Sequence, residues 1–138
     1  MMKKFLLVSL TLGTSLLLIS PALNARPGKR YDPATKMCRI LSDGKLNWES
    51  EPWGIGGQKF RQVCKSCHTR NNDQGAPFLY AESHMPKGWN QIFFKRRVKC
   101  ARDGSWDVLT PEELRMVNDY LYRNGDWTYD PNDAETCG

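Results

Sequence analysis

Hydrophobic residues in this chain recur mainly every three or four positions, which is the spacing of amphipathic helices. The clearest run carries Leu114, Val117 and Leu121 on one face. A Thr-Pro-Glu-Glu segment that begins at Thr110 precedes this face. It supplies a capping hydroxyl, a proline in the first turn and a glutamate placed to close a capping box. An Asn-Gly pair at Asn124 is typical of a helix end, so a last helix is predicted between these two signals.

Two shorter helices are predicted upstream of it. One begins near Gly56 and runs into the segment around Cys64, with Phe60 and Val63 at helical spacing. The other covers about residues 89–98. No strand pattern extends beyond a few residues, so the pattern predicts a mostly α protein.

The N-terminal segment has the pattern of a secretory signal peptide. Two lysines precede the uncharged apolar run Phe5–Ile19, and small residues follow it. This run is shorter than the roughly 20 residues that a membrane-spanning helix needs. The sequence therefore predicts a signal peptide over residues 1–25, cut after Ala22 or Ala25, and a mature form without a membrane span. Its destination is the periplasm or an equivalent extracytoplasmic compartment.

The remaining chain is the size of one small domain, about 113 to 116 residues. Residues 26–52 are polar and rich in turn-forming residues, and they are interpreted as an N-terminal extension. The domain itself is assigned to residues 53–125, and residues 126–138 form a C-terminal tail.

Net charge is mild, because the formal +5 of the whole chain becomes +3 once Lys3 and Lys4 leave with the signal peptide. Basic residues cluster within 95–102, and acidic residues are more frequent after Asp103. A solvated helix face explains the basic cluster. Export argues against nucleic acid as a partner.

The chemistry of the chain centres on Cys64 to His68, where two cysteines stand three positions apart and a histidine follows the second directly. A covalent haem needs two thiols for its two vinyl groups and an imidazole on the same turn, and this spacing supplies both. A zinc site would need a second Cys or His pair, but the only other histidine is His84. A redox dithiol would need a strand before the motif. The motif therefore predicts one haem c, held by Cys64, Cys67 and His68.

Further residues flank this motif in a fixed order. They are Gly57-x-x-Phe60 before it, Gly75-Ala76-Pro77-Phe78-Leu79 after it, and a Leu-Thr-x-Glu-Glu-Leu helix that ends in Asp119-Tyr120-Leu121. Over residues 56–125 this order resembles the small class I c-type cytochromes. The resemblance implies the class I cytochrome c fold, in which three to four helices surround one covalently attached haem, here with extended N- and C-terminal tails.

The resemblance also implies particular contacts. In that family a glycine of the first helix lets an aromatic of the last helix approach, and Gly57 (or Gly56) and Tyr120 match these positions. The family's proline after the motif lends its carbonyl to the haem-ligating histidine, and Pro77 matches it. Trp106 is a candidate to pack on the haem or to donate to a propionate.

The sixth ligand of the iron has two main candidates. Most members of the family use methionine, and Met85-Pro86 has the common dipeptide, but Met85 lies only 17 residues after His68 and before the middle helix. His84 shares this early position. Cys100 follows that helix and precedes Leu109 by nine residues, where the family's ligand usually falls. Cys100 is therefore favoured, with Met85 as the alternative.

The cysteine count agrees with this choice. Of five cysteines, Cys38, Cys100 and Cys137 lie outside the motif, and an oxidising compartment favours pairing. A Cys38–Cys137 disulfide would leave Cys100 for the iron, with flanking basic residues expected to favour its thiolate. If Cys100 pairs instead with Cys38 or Cys137, Met85 becomes the ligand.

A histidine/cysteine haem resembles the heterodimeric dihaem cytochromes of anaerobic ammonium oxidisers, and this resemblance implies a second cytochrome subunit. The five tryptophans, an excess for a minimal cytochrome, agree with a subunit interface.

These features predict electron transfer to redox protein partners, without catalysis. Thiolate ligation predicts a low reduction potential. The alternatives are binding or sensing of nitric oxide or carbon monoxide after the thiolate leaves, and a histidine/methionine electron carrier. A small peroxidase has only His84 in its favour.

Overall fold

The computed structural model describes residues 26–41 and 49–127 and is mostly helical. Residues 1–25, predicted to be a signal peptide, lie outside the described residues, as do Trp48 and Cys137. The elements, in chain order, are β1 (Lys29–Asp32), β2 (Met37–Ile40), α1 (Pro52–Gln62), α2 (Pro86–Lys95), α3 (Lys99–Arg102) and α4 (Pro111–Asn124), with short 3₁₀ turns at Cys64–Ser66 and Ala81–Ser83. None of the helices in these ranges is long and apolar enough to cross a membrane.

Helices α1 and α4 cross in close contact at two glycines. A Cβ atom at Gly56 would lie 1.7 Å from the backbone oxygen of Met116, and one at Gly57 would lie 2.9 Å from the Tyr120 ring. The rings of Phe60 and Tyr120 are 5.7 Å apart between centroids. The predicted approach of Tyr120 to a glycine is therefore confirmed, and Gly56 is the tighter of the two positions because backbone faces it.

The core lies where α1, α2 and α4 meet. Its buried members are Phe60, Ala81, Trp89, Leu109, Val117 and Leu121. Each of the three helices has a proline in its first turn. Proline is tolerated there because backbone N–H groups of the first turn make no hydrogen bond within the helix. The last helix begins and ends as predicted. At its start, the Thr110 amide donates to the Glu113 carboxylate and the Glu113 amide donates to the Thr110 hydroxyl, which completes the capping box.

The other two helix predictions were wrong at their ends. Helix α1 begins at Pro52 and ends at Gln62, before the cysteine motif instead of within it. Helix α2 covers Pro86–Lys95 and not 89–98, because Arg96 takes the left-handed conformation (φ 50°) and ends it. A short turn of helix, α3, then carries Cys100.

The N-terminal extension contains a hairpin that the polar sequence did not predict. Strands β1 and β2 pair antiparallel, with Arg30 opposite Arg39, and the turn between them closes through the Lys36 amide, which donates to the Asp32 carbonyl at 2.8 Å. Leu41, directly after β2, is fully buried. The extension therefore packs on the domain.

A buried ion cluster fastens this hairpin to α4. Arg30 Nε donates to Asp119 Oδ1 at 2.7 Å, and Arg39 Nε donates to Asp119 Oδ2 at 2.8 Å. The side chains of Arg30 and Asp119 are both 0% exposed. Arg39 also pairs with Glu112 at 2.7 Å. Asp119 thus pairs with both guanidinium groups, and Asp32, which lies 4.0 Å from Arg30, and Glu112 add to the compensation.

Glu113 makes an ion pair whose contribution should depend on pH. Lys59 Nζ on α1 lies 2.6 Å from its carboxylate. Hydrogen bonds from Lys59 and from the Thr110 amide lower the pKa of Glu113 from 4.5 to about 2. Because the folded pKa is the lower one, the stabilisation is fully present above about pH 4.5 and is lost as the pH falls toward 2.

We therefore expect Glu113→Gln to lower the Tm at neutral pH, and we expect the difference from wild type to close between about pH 4.5 and 2. Circular dichroism melts across this range check it. A Tm difference between the two proteins that stays constant over this pH range would contradict the role of the ion pair.

Candidate cofactor site

The cysteine motif occupies a tight turn directly after α1. The His68 amide donates to the Cys64 carbonyl at 3.0 Å, and the Cys67 amide donates to the same carbonyl at 3.3 Å. These bonds wind the segment into a 3₁₀ turn at Cys64–Ser66. The turn brings Cys64, Cys67 and His68 to one cavity, which we call the motif cavity.

The motif cavity has a volume of about 420 Å³ and lies between the motif, α2, α3 and α4. This volume is within the range of about 300–1,000 Å³ that is usual for cofactor sites. Apolar side chains form most of its wall: Phe60, Val63, Leu79, Trp89, Ile92, Phe93, Val98 and Leu121. Such a wall suits a large flat apolar group with few polar attachments.

The predicted contact between Pro77 and His68 is present. The Pro77 carbonyl lies 2.7 Å from His68 Nδ1, and because a carbonyl only accepts, Nδ1 carries the proton. Nε2 is then the unprotonated nitrogen, which is the form that binds a metal. The contact fixes the ring orientation and makes the imidazole a stronger ligand.

Asn72 shapes the loop that presents Pro77. Its side-chain oxygen accepts from the amides of Gln74 (3.1 Å) and Ala76 (2.9 Å), and its Nδ2 donates to the Ala76 carbonyl at 2.7 Å. Gly75 has φ +64° within this loop, which glycine adopts without strain. Hydrogen bonds among the loop's own residues therefore fix its conformation.

Lys65 is a structural residue of the site that the sequence did not identify. Its ammonium donates to the carbonyls of His68 (3.0 Å) and Leu79 (2.7 Å) and lies 4.2 Å from the centre of the Phe78 ring. It thus ties both ends of the Pro77 loop to the motif. Lys65 stands at a variable position of the motif, so no sequence signal marked it.

Cys100 and Trp106 both line the motif cavity. Trp106 is 7% exposed and stacks on Phe93 with ring centroids 4.8 Å apart. Its side chain acts on Cys100 as a hydrogen-bond donor that lowers the pKa of the thiol.

The expectation that basic neighbours would favour the Cys100 thiolate was wrong. Burial raises the pKa of Cys100, and the Trp106 hydrogen bond offsets this only in part, while the negative charge of Asp103 adds to the increase. Lys99 and Arg102 are exposed, so water screens their charges.

Cys64 is also held as a thiol. Burial raises its pKa to about 12, and the nearby sulfurs of Cys100 and Cys67 add to this. Cys64 and Cys100 line the same cavity, although they are far apart in the sequence.

The structure separates the other two candidate ligands. Met85 is 43% exposed and does not line the motif cavity. His84 does line it, and its ring meets that of Trp89 edge-on at 4.6 Å. Position in the sequence did not distinguish these neighbours. Met85 directly precedes α2, and its side chain is not part of the cavity wall.

The described cysteines agree in part with the predicted pairing. Cys38 is disulfide-bonded, and Cys64, Cys67 and Cys100 are free thiols. Cys137, the predicted partner of Cys38, lies outside the described residues. Over residues 26–41 and 49–127 there is no group of three or more His, Cys, Asp or Glu side chains placed to bind a metal ion together.

The residues at the motif cavity fit a covalent haem c. Two thiols and an oriented imidazole share one turn, and an apolar wall surrounds them. Among the predicted site residues, Cys64, Cys67, His68, Pro77, Trp106 and Cys100 line this cavity, and Met85 does not. Comparisons with family models, with curated proteins and with solved structures found no significant match to this chain.

Proposed function

We propose that this chain is an exported monohaem c-type cytochrome of the class I type that transfers electrons between protein partners. The observation that carries the proposal is the 2.7 Å contact between Pro77 and His68 Nδ1, in a cavity that Cys64 and Cys67 also line. A metal-ligating histidine commonly has such a carbonyl on its second nitrogen, whereas a redox dithiol has no use for it.

Four residues of the cavity would hold the haem. Cys64 and Cys67 would supply the two thiols for thioether attachment, and His68 Nε2 and the Cys100 sulfur would bind the iron. A haem bound here supplies an iron centre that accepts and releases one electron.

The protein environment sets how readily that electron is accepted. A thiolate from Cys100 would stabilise ferric iron, so we expect a low reduction potential. A hydrogen bond from the Trp106 indole to that sulfur would withdraw charge from it and moderate this effect.

Partner binding is assigned to the surface around α2. Lys87, Lys95, Arg96 and Arg97 are all exposed, and together they favour an acidic redox partner through long-range attraction. Phe94, on the same helix, is 49% exposed and offers an apolar contact. A second cytochrome subunit is a candidate for this surface.

Redox titration of the haem-loaded protein tests the proposed function. We expect one reversible one-electron transition, and we expect the reduced protein to keep its spectrum under carbon monoxide and nitric oxide. A stoichiometric gas adduct of the reduced protein would favour the gas-binding alternative and contradict electron transfer as the main role.

A further inference from the structure

Lys65 joins the two ends of the loop that presents the Pro77 carbonyl. This loop runs from His68 to Leu79, and the Lys65 ammonium donates to the backbone carbonyls of both residues, at 3.0 Å and 2.7 Å. The backbone bond between the same two ends is longer, because the Leu79 amide lies 3.4 Å from the His68 carbonyl. Since hydrogen bonds from a charged donor are stronger than neutral ones, Lys65 makes the stronger connection between the two ends.

Pro77 depends on its neighbours for its position in the loop. Proline has no backbone N–H with which to bond, so the residues on either side must hold it. On one side, the Ala76 amide donates to the Asn72 side chain at 2.9 Å. On the other side, the Phe78 ring lies under the Lys65 ammonium, 4.2 Å from ring centre to nitrogen. Lys65 therefore fixes the part of the loop that follows Pro77.

The contact that this loop makes with His68 is open to competition from water. Pro77 is exposed and His68 is only partly buried, although the Pro77 carbonyl lies 2.7 Å from His68 Nδ1. If the loop moved away, Nδ1 would bond to water, which fixes neither the tautomer nor the ring orientation as a protein carbonyl does. Lys65 precedes His68 by only three residues, so one short segment carries both the ligand and the residue that holds the loop against it.

We propose that Lys65 is a positioning residue that holds the Pro77 carbonyl on His68 Nδ1 and thereby raises the ligand strength of His68. This inference rests on the proposed haem attachment. A carbonyl on Nδ1–H makes the imidazole a better electron donor, and a better donor stabilises ferric iron and lowers the reduction potential. Lys65 acts through Pro77 and does not itself bind the iron.

Arg70 provides a matched control, because its charge faces the same aromatic ring. Its guanidinium lies 5.0 Å from the centre of the Phe78 ring. Within residues 49–127, Lys65 and not Arg70 donates to the two ends of the loop. Removal of either side chain takes one positive charge from this region, which by itself favours ferric iron and lowers the potential. Loss of Lys65 should in addition release the loop, which raises the potential.

Two measurements on the haem-loaded full chain test the proposal in Lys65→Met and Arg70→Met. The first is the exchange of the His68 Nδ1 proton with deuterium, followed through its hyperfine-shifted resonance in the ferric protein. We expect exchange to be about tenfold faster, or more, in Lys65→Met, because two charged hydrogen bonds are lost, and we expect the wild-type rate in Arg70→Met. The second is the reduction potential, which should be higher in Lys65→Met than in Arg70→Met.

Lys65→Arg is the conservative variant, because a guanidinium keeps the charge and has enough N–H groups to donate to both carbonyls. It should keep slow exchange of the His68 Nδ1 proton and a potential close to that of the wild type. If Lys65→Met gives no folded protein, Lys65→Gln, which also removes the charge, takes its place with the same expected results.

Four results would each overturn this inference and leave the proposed function standing. They are unchanged proton exchange in Lys65→Met, equally fast exchange in Arg70→Met, equally fast exchange in Lys65→Arg, and a potential of Lys65→Met that is no higher than that of Arg70→Met. A wild-type protein that carries no haem would instead overturn the proposed function, and with it this inference.

Discussion

Cys100→Met should raise the reduction potential of the haem by a substantial part of the roughly 0.8 V range that axial ligands cover. The reason is that a neutral thioether favours ferrous iron, whereas a thiolate favours ferric iron. Cys100 lines the motif cavity, so methionine at this position can reach the same site. Potentiometric titration, together with the electron paramagnetic resonance spectrum of the ferric form, measures the change.

Two neighbouring variants are the controls for this prediction. Met85→Ala should change neither the potential nor the ferric spectrum, because Met85 is 43% exposed and away from the cavity. His84→Gln should also keep the electron paramagnetic resonance spectrum of thiolate-bound ferric iron, although His84 lines the cavity. A ferric spectrum that Cys100→Met leaves unchanged and His84→Gln alters would assign the ligand to His84 and contradict the role of Cys100.

Asp119→Asn should lower the free energy of unfolding by about 3–5 kcal/mol. The substitution removes the carboxylate that Arg30 meets at 2.7 Å and leaves Arg30, whose side chain is 0% exposed, with only Asp32 at 4.0 Å. It also removes the charge that Arg39 meets at 2.7 Å. Urea denaturation followed by circular dichroism gives the free energy, and the slope of the transition shows whether the folded state stays compact.

Asp73→Asn makes the same chemical change at an exposed loop position and should alter the free energy of unfolding by no more than about 0.5 kcal/mol. Equal losses of unfolding free energy in Asp119→Asn and Asp73→Asn would contradict the stabilising role of the buried ion cluster. A large loss in Asp119→Asn alone would show that the hairpin is an integral part of the domain.

Local sequence patterns predicted the features that depend on near neighbours. The capping box at Thr110 is decided within one helical turn, and α4 begins as expected. The contact between Tyr120 and a glycine of α1, and that between Pro77 and His68, followed from a family resemblance. The contact of Tyr120 needed that resemblance, because Tyr120 and Gly57 lie far apart in the sequence, whereas Pro77 follows His68 by nine residues.

The features that the sequence did not predict depend on distant partners. The strands of the hairpin are only four residues long. Arg30 is buried in one of them because Asp119, 89 positions further along the chain, pairs with it. The pKa of Cys100 follows from burial in a cavity and not from its neighbours in the sequence. His84 and Met85 are adjacent, yet only the fold shows which of them meets the cavity.

Intact mass spectrometry of the exported protein, produced with a working haem-maturation system, tests the central claim most directly. We predict a single species with the mass of the processed chain plus one haem, and pigment that stays with the polypeptide in acidified organic solvent. Replacing both Cys64 and Cys67 by alanine should abolish the added mass. A colourless wild-type protein, or pigment that acidified solvent extracts, would contradict covalent attachment at this motif.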